Sequence, residues 1–266
     1  MLDQQQIKHF HDHGFVRGSQ ALSEAQVNAL QAEMERVIAD KDNPDAPQPV
    51  LLRNMNKDDT PVWQIVDIWH ASDGFHALLT NSTILEEMVQ LTEAERLRLW
   101  HDQVQYKPAA TGGVNMWHQD GPLWPVIAPK TQVTAWVALD DVDPENGCMS
   151  MVPGSHLWGD HMDYLRTLPG FDALPAEFEG HTVSVQTCPV KRGAVHYHHS
   201  LTWHGSQANV SGRPRRAVAL HFMTEETRYV PSGSHVMEQF IQSSAGEELQ
   251  GEMFPLAWQR PALETV

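Results

Sequence analysis

Asn115-Met116-Trp117-His118-Gln119-Asp120-Gly121-Pro122-Leu123-Trp124-Pro125 sets a histidine and an aspartate two residues apart between two tryptophans. Side chains alternate along an extended strand, so His118 and Asp120 are expected to share one face. Two imidazoles and one carboxylate form the facial set that holds non-haem iron(II) and leaves positions open for oxygen and a co-substrate. His204, 84 residues after Asp120, can supply the second imidazole, and Arg215 follows 11 residues later. An arginine there can grip a carboxylate through a two-pronged, charge-assisted pair. Together these residues point to an oxygenase that consumes a 2-oxo acid to activate oxygen.

Taken alone the His-x-Asp spacing is a weak signal, because 16 histidines and 34 acidic residues make chance pairs common. Its surroundings strengthen it. Trp117 and Trp124, with the neighbouring proline and glycine, are unsuited to an exposed face and would wall a water-poor cavity. The plainer reading is a structural turn packed by indoles. The second histidine must be chosen from His196, His198, His199 and His204. His204 heads His-Gly-Ser-Gln-Ala-Asn, where Gly205 would let the backbone bend close to a metal. The other three read as core or supporting groups, although a histidine-rich run can also mark a separate metal site. Arg213 precedes Pro214 and reads as a turn residue. Arg215 and Arg216 face opposite sides of a strand, so only one can enter the interior, and spacing leaves open which. An arginine buried there needs an anion.

Outward from these residues the chain is β-rich. Short apolar segments at 97–106, 131–139, 148–152, 182–187, 194–198 and 216–222 are separated by Pro, Gly and Asn, the pattern of a sandwich or barrel. The fold class expected is mainly β with N-terminal helices. A double-stranded β-helix, a cupin-like jelly roll, fits because it brings distant residues to one mouth. Asp3 can cap a helix running to His13 and stopped by Gly14, with Phe15-Val16 extended. Ser23 and Gln26 have capping-box spacing before the stripe Val27, Leu30, Met34 and Val37. Pro44, Pro47 and Pro49 mark a loop, and another helix is expected from Asp73 through Phe75, Leu78, Leu79, Ile84 and Leu85 to Met88. The helices would pad one outer face of the sheet. One domain is expected over 1–266, with a helical part at 1–96, a jelly-roll core at 97–230 and a C-terminal extension at 231–266. The N-terminal helices and the loop at 44–49 are the candidates for a lid.

At 266 residues the chain can bury a sizeable core without staples, and 41% hydrophobic with 20% charged residues is ordinary for a globular protein. A net charge of −16 disfavours nucleic-acid and anionic-membrane partners. Cys148 and Cys188 are too few for a disulfide framework and fit a reducing compartment. With no signal peptide and no bilayer-length apolar run, the expected location is cytoplasmic. Nothing specifies an oligomeric state. Rival catalytic patterns, such as Gly-x-Ser-x-Gly or a phosphate-binding glycine loop, are absent from the sequence. The acidic run 139–147 reads as a solvated hairpin turning at Asn146-Gly147 rather than a calcium loop. Pro153-Gly154-Ser155-His156 reads as a tight turn bonded locally.

Several blocks in order are more specific than any one of them. They are Asp102-Gln103 with Lys107-Pro108, Trp117 to Gly121, Trp136 to Asp140, Asn146-Gly147 and Pro153 to His156. His204-Gly205-Ser206 with Asn209, and Arg215-Arg216-Ala217, complete the series. In these the sequence resembles the phytanoyl-CoA dioxygenase family of iron(II)/2-oxoglutarate oxygenases, closely over 102–222 and more loosely over the N-terminal helices. The resemblance implies iron ligation by His118, Asp120 and His204. It implies that Arg215 and Ser206 bind the distal carboxylate of 2-oxoglutarate, with Trp136 against the co-substrate and Gln103 as a further contact. Gln207-Ala208 departs from the smaller or proline-containing turn usual after the His-Gly-Ser block. The retained aspartate separates the chain from halogenating relatives.

The implied reaction consumes 2-oxoglutarate and oxygen, releases succinate and carbon dioxide, and hydroxylates a small-molecule substrate. Desaturation, epimerisation and cyclisation are alternative outcomes of the same chemistry. A non-catalytic cupin-like metal binder and a zinc hydrolase are the readings from other classes. The family name does not fix the substrate. Aromatic walls at Trp117 and Trp124, with no obvious phosphate-binding cluster, favour a compact, partly apolar molecule over a CoA thioester.

Overall fold

The computed structural model describes residues 1–262. α1 (Gln4–His13) starts at Asp3, whose side chain accepts from the Gln6 backbone while the Gln6 side chain accepts from that of Asp3, and it ends on Gly14 at φ 84°. β1 (Phe15–Gln20) follows, then α2 (Glu24–Ala39) with the same reciprocal cap between Ser23 and Gln26. After β2 (Leu51–Asn54) and β3 (Trp63–Val66), the helix expected from Asp73 to Met88 is in fact two, α3 (Asp73–Leu78) and α4 (Ser82–Thr92). The cause is Asn81. Its side-chain oxygen accepts from Ile84 N–H at 3.1 Å and its amide nitrogen donates to Ala21 O at 3.2 Å, which starts a new helix rather than continuing the old one.

The β-rich part runs through β4 (Arg96–Lys107), β5 (Asn115–His118), β6 (Ile127–Ala128), β7 (Val133–Ala138) and β8 (Met149–Met151) to α5 (Met162–Leu165). β9 (Glu177–Phe178), β10 (His181–Thr182), β11 (Gln186–Cys188), β12 (Ala194–His199) and β13 (His204–Ser206) come next. β14 (Arg215–Thr224), β15 (Arg228–Tyr229) and β16 (Leu256–Gln259) complete the order. The larger sheet is ordered β1-β12-β7-β14-β4-β3-β2, with β16 also on β4, and the smaller one β11-β8-β13-β5. The strand expected over 182–187 is split. Glu179 and Gly180 both take positive φ and close a tight β9–β10 hairpin, so only β11 is left to join the smaller sheet. No described helix is long and apolar enough to cross a membrane.

Strand periodicity sorts the larger sheet into two faces. Val133, Ala135 and Val137 of β7, Val195 and Tyr197 of β12, and Val218, Leu220 and Phe222 of β14 join the core that α2 and α4 cover. Val27, Leu30, Met34 and Val37 complete that layer from the helix side. The intervening residues turn the other way, toward the smaller sheet. They include Gln103, Gln105, Trp136, His198, Ala219 and His221, all lining one interior chamber. Trp117 and Trp203 anchor a separate apolar cluster under the 158–183 segment.

Candidate active site

β5 and β13 pair with His118 opposite His204. The strand ends there, and Asp120 stands at φ −71°, ψ −47° at the start of a helical turn. The two-residue spacing therefore works through a turn and not through strand alternation. His118, Asp120 and His204 each offer one ligand atom within 4.8 Å of the others. Asp120 Oδ1 lies 3.6 Å from His118 Nε2 and 3.5 Å from His204 Nε2. Each ring turns its Nδ1 to a carbonyl, His118 to Met116 O at 2.8 Å and His204 to Thr202 O at 2.9 Å. A carbonyl only accepts, so Nδ1 carries the proton and Nε2 of the neutral ring presents a lone pair. Two lone pairs and a carboxylate oxygen then face one another with no donor between them. A cation is what such a set lacks, and two imidazoles with one carboxylate suit iron(II).

The second Asp120 oxygen is held from behind. His198 Nε2 lies 3.1 Å from Oδ2, and Thr134 Oγ1 stands 3.4 Å from it and 2.8 Å from His221 Nδ1. Burial opposes the Asp120 charge, but the close approach of the His204, His118 and His198 rings outweighs it and holds the carboxyl well below the usual range. Burial pushes His221 down to about 3, so this ring stays neutral.

Deeper in the fold, Arg215 is fully buried. It donates from Nε to Gly147 O at 3.2 Å and from Nη2 to Ser206 Oγ at 3.1 Å, and its guanidinium lies 5.6 Å from the Trp136 ring centre. Opposite it in register is Lys107, also fully buried. Lys107 Nζ donates to Ser206 Oγ at 2.7 Å, to Ser206 O at 3.1 Å and to Gln207 O at 2.6 Å. Neither cation has a carboxylate partner among the described residues; their acceptors are carbonyls and one hydroxyl. Burial lowers Arg215 to about 10, and burial with the nearby guanidinium lowers Lys107 well below its ordinary value. Two buried positive groups that share a hydroxyl and lack a counter-charge call for an anion. Arg216 faces the other way and forks onto Asp140 at 2.9 and 2.8 Å. The choice that spacing left open thus falls on Arg215 as the inward residue.

The phytanoyl-CoA dioxygenase (PhyH) family pattern matches residues 10–217. The chain belongs to the phytanoyl-CoA dioxygenase family. Phytanoyl-CoA dioxygenase domain-containing protein 1 of Bos taurus is 30% identical over 159 residues, covering 58% of this chain and 54% of that protein. The chain spans about half the length of the curated relatives it matches. Among solved structures it is similar to the non-heme alpha ketoglutarate dependent epimerase SnoN, at TM-score 0.79 and 26% identity, covering 96% of this chain and 98% of that one. The carbocyclase SnoK gives TM-score 0.78 and 25% identity with 97% of both chains covered. SnoN has been solved with Fe3+, alpha ketoglutarate and nogalamycin RO. Iron and 2-oxoglutarate are the cofactor and co-substrate of the family to which the chain belongs. The donor-free His118, Asp120 and His204 set fits such a metal, and the uncompensated Arg215 and Lys107 fit such a dianion.

A wider cavity of about 490 Å3 opens in front of His118 and Asp120, with Trp117 and Trp124 both on its wall. Trp117 is fixed by its Nε1 donating to Phe171 O at 2.6 Å, and Trp124 packs edge-on against His221 at 4.8 Å. No residue of the N-terminal helices or of 44–49, where a lid was expected, lines this cavity. The helices spend their apolar faces on the far side of the larger sheet, and the cavity is walled instead by Met55 and Val62 from the β2–β3 turn and by Met162, Leu165 and Leu168 from α5 and beyond. Gly205 serves packing rather than a bend toward metal, since a Cβ there would meet Asn115 O at 2.9 Å and Phe171 at 3.0 Å. Asn146-Gly147 is no solvated hairpin. Asn146 is fully buried and donates to Asp141 O, while Gly147 at φ 84° presents its carbonyl to Arg215. Ser155 accepts from Trp203 N–H at 2.8 Å, so its turn is braced to the residue just before His204 and β13.

Sequence reasoning left out Lys107 as a site residue, and it placed His198 only as core or support. The signal available for Lys107 was a lysine ending a long strand with no acidic residue within four positions on either side.

Proposed function

We propose that this member of the phytanoyl-CoA dioxygenase family hydroxylates a small-molecule substrate while converting 2-oxoglutarate and oxygen to succinate and carbon dioxide, as one catalytic domain over 1–266. The observation that carries this reading is the Arg215–Lys107 pair beside the His118, Asp120 and His204 set. A protein that merely stores a metal, or a zinc hydrolase, has no use for two buried cations awaiting an anion, which are costly without one.

In this reading His118, Asp120 and His204 hold iron(II), which when bound supplies oxygen activation coupled to decarboxylation. Arg215 and Ser206 take the distal carboxylate of 2-oxoglutarate, and Lys107 adds a second charge to the same grip. Trp136 covers the co-substrate, and Gln103 contributes a further contact. His198 and Thr134 keep the outer Asp120 oxygen occupied, which leaves the inner one to the metal. Trp117 and Trp124 exclude water from the wider cavity. The free, buried Cys148 and Cys188 support a reducing compartment such as the cytosol.

A second outcome, epimerisation or ring closure, is favoured by the whole-chain likeness to SnoN and SnoK. Succinate production from 2-oxoglutarate with iron(II) and oxygen, without added substrate, tests the class. It should be present in the native chain and abolished in Asp120→Ala with the fold retained. Equal rates in the two proteins, or no succinate from iron-loaded native protein, would sink it. Once a substrate is found, mass spectrometry under labelled oxygen separates the outcomes. One added oxygen atom supports hydroxylation, whereas an unchanged mass or a loss of two hydrogens supports the second reading.

A further inference from the structure

Resting on that reading, we infer that the prime substrate is an uncharged, drug-sized molecule with an apolar body and a hydrogen-bond-accepting oxygen, and not an acyl-CoA or a free carboxylate. The wider cavity holds about 490 Å3, within the range of roughly 300–1,000 Å3 that encloses drug-sized ligands. Its apolar lining includes Met116, Trp117, Leu123, Trp124, Met162 and Leu165. Its uncharged polar lining is carboxamide, Asn56 with a row of Gln64, Gln103, Gln105 and Asn115.

The row has a direction. Arg53 Nε donates to Gln64 Oε1 at 2.8 Å, and Gln64 Nε2 donates to Gln103 Oε1 at 2.6 Å. A guanidinium can only donate, so the Gln64 oxygen must face it and the Gln64 nitrogen must face Gln103. Gln103 is thereby held with its oxygen occupied and its amide nitrogen without a protein acceptor among the described residues, on a side chain that lines both the inner chamber and the wider cavity. Beside it Asn115 Nδ2 donates to Gln105 Oε1 at 2.9 Å. The polar wall therefore offers N–H donors to a ligand oxygen without offering a charge.

Apart from the metal-site residues and the neutral His221, the only ionisable lining residue among the described residues is Arg166. Its side chain is 59% exposed and already lies 3.2 Å from Asp163. On the segments that wall the mouth, Asp58, Asp59 and Asp163 balance Arg53, Lys57 and Arg166. A carboxylate drawn into this cavity would lose its water with only the exposed, Asp163-paired Arg166 to replace it, and the phosphates of a CoA would meet no cluster of cations among the lining residues.

Calorimetry on protein loaded anaerobically with iron(II) and 2-oxoglutarate tests this with flavones and steroid ketones, their carboxylated counterparts, and palmitoyl-CoA. Neutral probes should bind, their carboxylated partners at least about tenfold more weakly, and palmitoyl-CoA not at all. Arg166→Ala, which removes the one cationic side chain lining the cavity among the described residues, should change neutral-probe affinity by less than about twofold, the range of exposed side chains. Gln64→Leu frees the Gln103 amide to rotate and should weaken the neutral probes by about three- to tenfold, the worth of one hydrogen bond. Preferential binding of a carboxylate or of the CoA thioester, loss of neutral binding in Arg166→Ala, or no binding by any neutral probe would overturn the inference. Iron content and basal succinate formation of the same preparation report separately on the oxygenase reading.

Discussion

Ser206 is the point where two buried cations meet, and the balance around its hydroxyl makes Arg215 and Lys107 separable by experiment. Arg215→Ala should raise the Michaelis constant for 2-oxoglutarate by tenfold or more, because a charge-assisted hydrogen bond worth about 1.5–3 kcal/mol is lost. Arg216→Ala should leave that constant nearly unchanged and act on stability instead, since its partners are Asp140 and Glu35 on the opposite face. Equal effects on the Michaelis constant would contradict the assignment of faces. Lys107→Met is expected to have opposite effects on two readouts. Without co-substrate it should raise the melting temperature, because a buried charge facing a buried guanidinium is replaced by an apolar chain of similar length. Its calorimetric Kd for 2-oxoglutarate should rise at the same time. A lower melting temperature together with unchanged binding would show that Lys107 is not part of the anion grip.

Between elements, the end of β3 and the neighbouring stretch of β4 hold a buried acidic pair apart from the metal residues. Asp67 takes φ 54° and accepts from Asp102 N–H at 3.1 Å, while Asp102 accepts from Ile68 N–H at 2.9 Å, and both side chains are fully buried. Burial raises Asp67 from 3.8 to about 7, and burial with the neighbouring Asp67 raises Asp102 well above its ordinary value. The folded chain therefore binds more protons than the unfolded one between about pH 4 and 7, and this pair's contribution to stability falls as pH rises through that window. Asp67→Asn keeps a side-chain oxygen for Asp102 N–H and suits the left-handed backbone. Its melting temperature relative to the native chain should accordingly increase from pH 4.5 to pH 7.5. A difference independent of pH would mean that Asp67 does not titrate in this range.

For the whole molecule, the interior chamber between the two sheets links ligation to stability. Its walls come from β4, β5, β7, β12, β13 and β14, so a metal and a dianion bound there tie together strands from both sheets. A ligand that binds only the folded state stabilises by about 2.7 kcal/mol at a hundredfold excess over its Kd. Cobalt(II) with 2-oxoglutarate should therefore raise the melting temperature by several degrees, and a chelator should reverse the gain. In Arg215→Ala the increment from 2-oxoglutarate should vanish while that from the metal persists. Retention of both increments would place the co-substrate elsewhere.

What the sequence determined by itself is the part of the molecule governed by near neighbours. Asp3 with Gln6 and Ser23 with Gln26 start helices through bonds three residues apart, and the β7, β12 and β14 alternation sorts Val137 from Trp136 and Tyr197 from His198. The family resemblance added His118, Asp120, His204 and Arg215 as residues that belong together, and the fold brings them to neighbouring places. Other features are decided by strand pairing between distant segments. Lys107 acquires its meaning only because β4 lies beside β14 with Arg215 opposite, and His198 only because β12 carries it to Asp120. The wall of the wider cavity comes from the β2–β3 turn and α5 rather than from the N-terminal helices for the same reason. Local periodicity says which face a side chain takes, but the register and packing that decide what it meets there are settled only when the two sheets close on each other.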